Sequence, residues 1–188
     1  MMSVVHAGDI DEAELGERVV LLDEERQPIG TQLKSEVHHA DTPLHLAFSV
    51  HVLDENDNTL LARRAVTKRT WPGVWSNACC GHPAPGETLA DAVARRLASE
   101  LGLHAVSIVL ALPDFAYLAE DANGVVENEV CPVFLARVTG VEPAPEPDPG
   151  EVAEWIWRPR AEASALARQH PWLLSPWSVL QFAQLDQR

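Results

Sequence analysis

Basic charge is scarce in this 188-residue chain: 14 lysines and arginines face 28 aspartates and glutamates, a formal net charge of −14. Nonspecific binding to nucleic acid or to an anionic membrane surface needs a basic excess, so neither partner is expected. Cysteine is sparse as well, with Cys79, Cys80 and Cys131 the whole supply. Two are neighbours and one is left over, which is no disulfide framework. A reduced, cytoplasmic setting fits better, with any thiol function being metal binding or catalysis. No apolar run reaches the length of a membrane span. Met1–Leu15 has no positive n-region and no long apolar core, so no signal peptide is expected. Repeats and extended low-complexity segments are lacking too. What is present, 46% hydrophobic and 22% charged residues, is an ordinary globular balance. At this length one domain over 1–188 with a sizeable core is expected, residues 1–17 being an acidic lead-in.

Val19–Leu22 reads as a short strand, followed by a turn through Asp23–Gly30. Leu44–Leu53 alternates as a strand, Asp54–Asn58 turns, and Thr59–Arg64 returns as a hairpin. The basic, aromatic loop Lys68–Trp75 leads into Ser76-Asn77-Ala78-Cys79-Cys80-Gly81-His82-Pro83, the stretch around which the rest is organised. A helix follows over Thr88–Gly102. Its apolar positions 89, 92, 93, 97 and 101 share one face. Arg96 and Glu100 stand four apart on a neighbouring face, and Gly102 suits a left-handed C-terminus. Ser107–Leu118 reads as one strand with an irregularity at Pro113, and Val125–Val138 as one long strand. Glu142–Gly150, rich in proline and acid, reads as an exposed loop. A strand over Glu151–Trp157 and helices over Pro159–Gln169 and Pro176–Leu185 complete the chain.

Five side chains suit a single divalent metal: His38, His45, His82, Glu127 and Glu129. They lie on four separate segments, and the two glutamates, two apart on a strand, point to one side. Taken singly, each histidine also fits a solvated surface position. Cys80 is a candidate acid or base, whereas Cys79 and Cys131 read as small buried hydrophobes. Lys34, Arg64, Lys68, Arg95 and Arg96 are candidate contacts to phosphate oxygens. Most of Trp71, Trp75, Trp172 and Trp177 are expected in the core, and an indole face can also stabilise a cation.

The spacing Gly81-x5-Glu87-x7-Arg95, with Glu100-Leu101-Gly102-Leu103 after it, resembles the Nudix box. Arg96 and Ser99 stand where the hydrolase pattern has metal-gathering glutamates, which speaks against a Nudix hydrolase of a nucleoside diphosphate derivative, the alternative function. Other motifs are similar to the type I isopentenyl-diphosphate isomerases. They are His38-x-Ala40-Asp41-Thr42-x-Leu44-His45-Leu46-Ala47-Phe48-Ser49, Trp71-Pro72-Gly73-Val74-Trp75-x-Asn77, Cys80-Gly81-His82-Pro83, Val126-Glu127-Asn128-Glu129-Val130-Cys131-Pro132-Val133-Phe134 and Ser175-Pro176-Trp177. The likeness runs from about Val19 to Gln181.

That resemblance implies an α/β (α+β) fold. Its core is a Nudix-type mixed β-sheet flanked by helices, with an additional N-terminal strand and C-terminal helices. It implies interconversion of isopentenyl and dimethylallyl diphosphate, through protonation and deprotonation on opposite faces of a tertiary carbocation. Cys80 and Glu129 match the acid/base pair, Tyr117 a tyrosine bonded to that glutamate, and Trp177 the aromatic face over the cation. His38, His45, His82, Glu127 and Glu129 match the ligands of one metal (Mn, Zn or Mg). Glu100 and the carbonyl of Cys80 match those of a Mg that bridges the diphosphate, and Lys34, Arg64, Lys68 and Arg96 match its cationic contacts. The implied partner is a small diphosphate substrate bound by a monomer, and the Trp-rich C-terminal stretch is a candidate lid. A non-catalytic metal- or prenyl-diphosphate-binding protein is the remaining rival.

Overall fold

The computed structural model describes residues 17–188. All of the expected acidic lead-in except Glu17 lies outside the described residues. Five strands form one sheet: β1 (Arg18–Leu22), β2 (Pro28–Leu33), β3 (His45–Leu46), β9 (Ala116–Glu120) and β10 (Val126–Val130), in the order β2-β1-β3-β10-β9. The second sheet has the order β12-β5-β4-β11-β8. It comprises β4 (Phe48–Leu53), β5 (Asn58–Arg64), β8 (Ser107–Leu112), β11 (Val133–Arg137) and β12 (Val152–Pro159), with β6 (Trp75–Asn77) attached to β5 and β7 (Cys79–Gly81) to β4. The helices are α1 (Lys34–Val37), α2 (Leu89–Leu101), α3 (Arg160–Gln169) and α4 (Pro176–Leu185).

Three segments that each read as one strand divide between the two sheets. Leu44–Leu53 breaks at Ala47 into β3 and β4, Ser107–Leu118 breaks at Pro113–Phe115 into β8 and β9, and Val125–Val138 breaks at Cys131-Pro132 into β10 and β11. Pro132 cannot donate to a ladder, so the break falls where a hydrogen bond is missing in any case. A second correction concerns the first turn. It closes earlier than Gly30: Arg26 takes φ 62° and Gln27 donates to the Asp23 carboxylate at 2.7 Å, which frees Pro28–Gly30 to begin β2.

The central hairpin opens into a fork. β4 and β5 pair only at Leu53↔Thr59 and then splay. β6 fills one side by pairing Leu61↔Asn77 and Arg63↔Trp75, and β7 the other by pairing Ser49↔Cys80 and Phe48↔Gly81. The organising stretch is thus held between two strands. Helix α2 packs across it, with Ala92, Val93, Leu97 and Leu101 wholly buried. Burial of a leucine of this kind contributes roughly 1.5–3 kcal/mol. Thr88 caps its N-terminus through the Asp91 amide at 3.2 Å, and Gly102 ends it at φ 63°. Gly81 is required by the closeness of helix and strand. A β-carbon there would meet Phe48 at 3.0 Å and the Arg96 side chain at 3.2 Å.

Of the four tryptophans singled out, only Trp177 is fully buried; Trp71 and Trp75 are partly covered, and Trp172 is 74% exposed. Trp172 sits on a single 3-10 turn, Pro171–Leu173, between α3 and α4, where a short connection gives its ring no inward face.

Candidate active site

A cavity of about 440 Å³ opens where the two sheets meet. Its wall carries two charged sets, one of histidines and carboxylates and one of cations.

The first set is delivered by the breaks between sheets. His45 on β3 lies beside Glu129 on β10 in parallel register, His38 follows α1, and His82 follows β7. Glu129 Oε1 lies 3.2 Å from His82 Nε2, 3.4 Å from His45 Nε2 and 3.9 Å from His38 Nε2. These four ligand atoms fall within 4.8 Å of one another. His45 Nδ1 donates to the Pro43 carbonyl at 2.9 Å, which puts the ring's proton outward and turns the Nε2 lone pair inward. That lone pair faces His82 Nε2 at 3.2 Å, while His38 Nε2 and His82 Nδ1 are buried without a partner. Ring nitrogens pressed together around a carboxylate fit a divalent cation among them, and the donor set is the mixed N/O kind such ions take. Burial holds the His82 imidazolium down to about 4. Burial would raise the Glu129 carboxyl, but three imidazoles hold it well below the usual range. His82 and Glu129 therefore stand in the deprotonated state that metal binding needs, whereas burial, which would lower the His45 imidazole, is overcome by Glu129 beside it, which raises it.

Glu127 stands outside that cluster of four. Its Oε2 accepts from the Tyr117 hydroxyl at 2.8 Å, and Glu129 Oε2 lies 2.9 Å from the same hydroxyl. One phenol thus joins the two carboxylates. Burial first, and Glu129 second, push the Glu127 carboxyl up.

Cys80, on β7, is partly covered and lines the cavity, whereas Cys79 and Cys131 are buried as expected. Burial pushes its thiol up to about 11, against hydrogen bonds from Ser49 and Asn77. Trp177 lies with its ring 5.5 Å from that of Tyr117. Its indole N–H donates to Asn77 Oδ1 at 3.1 Å, and Trp71 meets it edge-on at 5.7 Å. The Arg64 guanidinium sits 5.7 Å from the centre of the Trp177 ring.

The second set consists of Lys34, Arg64, Lys68 and Arg96, and all four line the cavity. Each is already engaged. Lys34 pairs with Glu17 at 2.5 Å, Lys68 pairs with Glu151, and Arg64 is held by the Thr70 carbonyl at 2.8 Å. Arg96, 7% exposed, reaches Glu17 at 3.2 Å and Glu151 at 3.3 Å, and pairs with buried Glu100 one turn along α2. Glu100 and Cys80 also line one small cavity of about 20 Å³. Arg95 is not on the main cavity wall. It grips both oxygens of Glu87 at 2.7 Å and donates to the His82 carbonyl at 3.3 Å, so it props the loop that carries His82.

A NUDIX domain model matches residues 43–178. An isopentenyl-diphosphate Delta-isomerase of Frankia alni is 52% identical over 174 residues, 93% of this chain and 88% of its own length. That of Brevibacterium linens is 53% identical over 170 residues, 90% and 92% of the two chains. The chain belongs to the isopentenyl-diphosphate Delta-isomerase family. A crystal structure from Deinococcus radiodurans shares the fold at TM-score 0.61 and 16% identity, covering 82% of this chain and 90% of that one.

Within this isomerase family chain, the residues read from the motifs come together around one cavity, apart from His45, which is fully buried behind its wall, and Glu100, which faces the smaller one. Glu17 and Glu151, the carboxylates that hold the cations, were not singled out. Both lie beside charged neighbours in ordinary acidic surroundings, and nothing in their spacing separates them from the other acids of this chain. Trp172, part of the expected lid, does not line the cavity.

Proposed function

We propose that the protein interconverts isopentenyl diphosphate and dimethylallyl diphosphate at this cavity, with Cys80 and Glu129 as the acid/base pair. The observation that carries the reading is the placement of a cavity-facing thiol, a phenol-bridged carboxylate and an indole face beside four cations. An unactivated alkene has to gain a proton at its terminal carbon, which becomes a methyl group, and the neighbouring carbon becomes a tertiary cation. A proton then leaves the carbon nearer the diphosphate, and its bonding pair forms the new double bond. One group gives the first proton and the other takes the second. Because the reaction is reversible, their roles exchange with its direction.

Lys34, Arg64, Lys68 and Arg96 hold the diphosphate, exchanging Glu17 and Glu151 for phosphate oxygens. Tyr117 keeps Glu129 aimed and passes a proton between the two glutamates. Trp177 offers its face to the cationic carbon, an interaction of about 2 kcal/mol when desolvated. His38, His45, His82 and Glu129, with Glu127 alongside, would hold a divalent cation (Mn, Zn or Mg), whose positive charge would make protonated Glu129 a stronger acid. Glu100 and the Cys80 carbonyl are the groups that would hold a Mg with the diphosphate. The chain acts as one domain and as a monomer on a small cytoplasmic metabolite. Among the described residues no helix is long and apolar enough to cross a membrane.

Incubation with isopentenyl diphosphate and Mg, with products followed by proton NMR, tests the reading. Dimethylallyl diphosphate is expected. Released phosphate would mean a hydrolase, and no turnover a binding protein.

A further inference from the structure

Behind Cys80 lies a buried polar chain that takes no part in the chemistry above. His51 Nε2 lies 2.9 Å from Gln181 Oε1, Gln181 Nε2 donates to Ser49 Oγ at 2.8 Å, and Ser49 Oγ lies 3.1 Å from Cys80 Sγ. His51, Ser49 and Gln181 are at most 1% exposed, so every hydrogen bond among them is made without water. Buried polar groups are kept in a core only when they are paired, and the four residues here come from three elements: β4 supplies His51 and Ser49, α4 supplies Gln181 and β7 supplies Cys80.

The chain has a direction. His51 Nδ1 is buried with no partner. A neutral imidazole has one proton, and an unpaired buried N–H is costly, so the proton belongs on Nε2, where Gln181 Oε1 accepts it. Burial holds the ring neutral, its pKa down to about 4. With its oxygen facing His51, the Gln181 amide turns N–H to Ser49. Ser49 then receives one hydrogen bond and has a single proton to give. Two sulfurs lie in reach, Cys80 at 3.1 Å and Cys131 at 3.4 Å. The other neighbour of Cys80 is Asn77, whose Nδ2 lies 3.4 Å from the sulfur but gives its two protons to the Val50 and Cys79 carbonyls at 3.0 and 2.9 Å. Asn77 Oδ1 lies 3.5 Å from the sulfur, but Trp177, Ser178 and Ser76 already donate to it at 3.1, 2.9 and 2.9 Å.

We propose that His51, Gln181 and Ser49 form a positioning relay that aims a hydroxyl donor at the Cys80 sulfur and so leaves the thiol's own proton facing the cavity. When that proton goes to the alkene, the sulfur keeps the S–H bonding pair, and the Ser49 donor already points at the charge that develops. Preorganised donors of this kind cost no rearrangement at the moment of reaction. The relay rests on the assignment of Cys80 as one of the acid/base pair.

The test uses the metal-replete enzyme and steady-state kinetics with isopentenyl diphosphate. Ser49→Ala is expected to lower kcat about 10- to 100-fold with KM close to wild type, and, because it leaves the buried Gln181 N–H unpaired, to lower the melting temperature by a few degrees with the enzyme still folded in the assay. Gln181→Glu keeps the size but accepts from both neighbours, so it draws the Ser49 proton off the sulfur and should lower kcat to a similar degree. His51→Leu should also lower kcat, and His51→Gln, which keeps an N–H toward Gln181, should restore most of that loss. On a Cys80→Ser background Ser49→Ala should add little. Wild-type kcat in both Ser49→Ala and Gln181→Glu, with Cys80→Ala inactive, overturns the relay and leaves the Cys80 assignment standing. Losses in kcat that scale with the fall in melting temperature across these variants overturn it as well. An active Cys80→Ala overturns the assignment beneath it.

Discussion

The two charged sets on the cavity wall are built on opposite plans. The His38–His45–His82–Glu129 set is rigid and buried, and its nitrogens crowd one carboxylate oxygen with no counter-group between them. The Lys34–Arg64–Lys68–Arg96 set is already answered by Glu17, Glu151 and the Thr70 carbonyl. The first would suit a permanent resident, since among the described residues His38 Nε2 and His82 Nδ1 are buried without a partner. The second would suit a visitor, if Glu17 and Glu151 give way to it as proposed. A resident is used in chemistry and folding, a visitor in binding, so damage to the two sets should separate in kinetics.

The largest effect should come from Cys80→Ala and Glu129→Gln, which should each lower kcat by about 10³-fold while the fold persists by circular dichroism; a fall below tenfold in either would remove that residue from the pair. Stripping the metal with a chelator should come next. It should abolish turnover and lower the melting temperature, and a metal supplied at a thousandfold its Kd should return about 4 kcal/mol. An unchanged melting curve would break the comparison at its first half. Trp177→Ala should cut kcat by about 30-fold, the equivalent of about 2 kcal/mol of cation–π stabilisation, and weaken diphosphate binding far less. Equal losses in both would deny it the cation. Lys68→Met should raise KM about tenfold with kcat little altered. The smallest effect has the opposite sign. Glu151→Gln frees Lys68 and Arg96 and should tighten pyrophosphate binding about threefold by calorimetry, the scale of a partly exposed ion pair. Burial opposes ionisation of Glu151, but Lys68 holds its pKa low, so at neutral pH it is the charged competitor that this variant removes.

The site was more legible in the sequence than the sheets that make it. Thr88, the apolar stripe to Leu101 and Gly102 mark α2 by residue type alone. The ligands and the Cys80 loop sit in long, ordered motifs. The sheets are another matter, because a period of two reports which face is buried and not which sheet the strand joins. Alternation runs on through Ala47 and Cys131, so each pair of strands read as one. Glu17 and Glu151 escaped because an acid that holds a cation looks like any other acid in a chain of this charge. Ser49 closes one of those motifs without a role, and Gln181 escaped, because a small polar residue on a strand and a glutamine on a helix carry no spacing that ties them together.

The fork between β4 and β5 has a mechanical consequence. Cys80 is carried on backbone stitched to β4 on one side, with Asn77 stitched to β5 on the other, so the thiol cannot swing as loop-borne groups do. Its amides should exchange with solvent only when the whole sheet opens. If Cys80 carries the proton as proposed, the motion of a turnover cycle would come from elsewhere, from the cationic side chains and their carboxylates, while the thiol behaves as part of the frame.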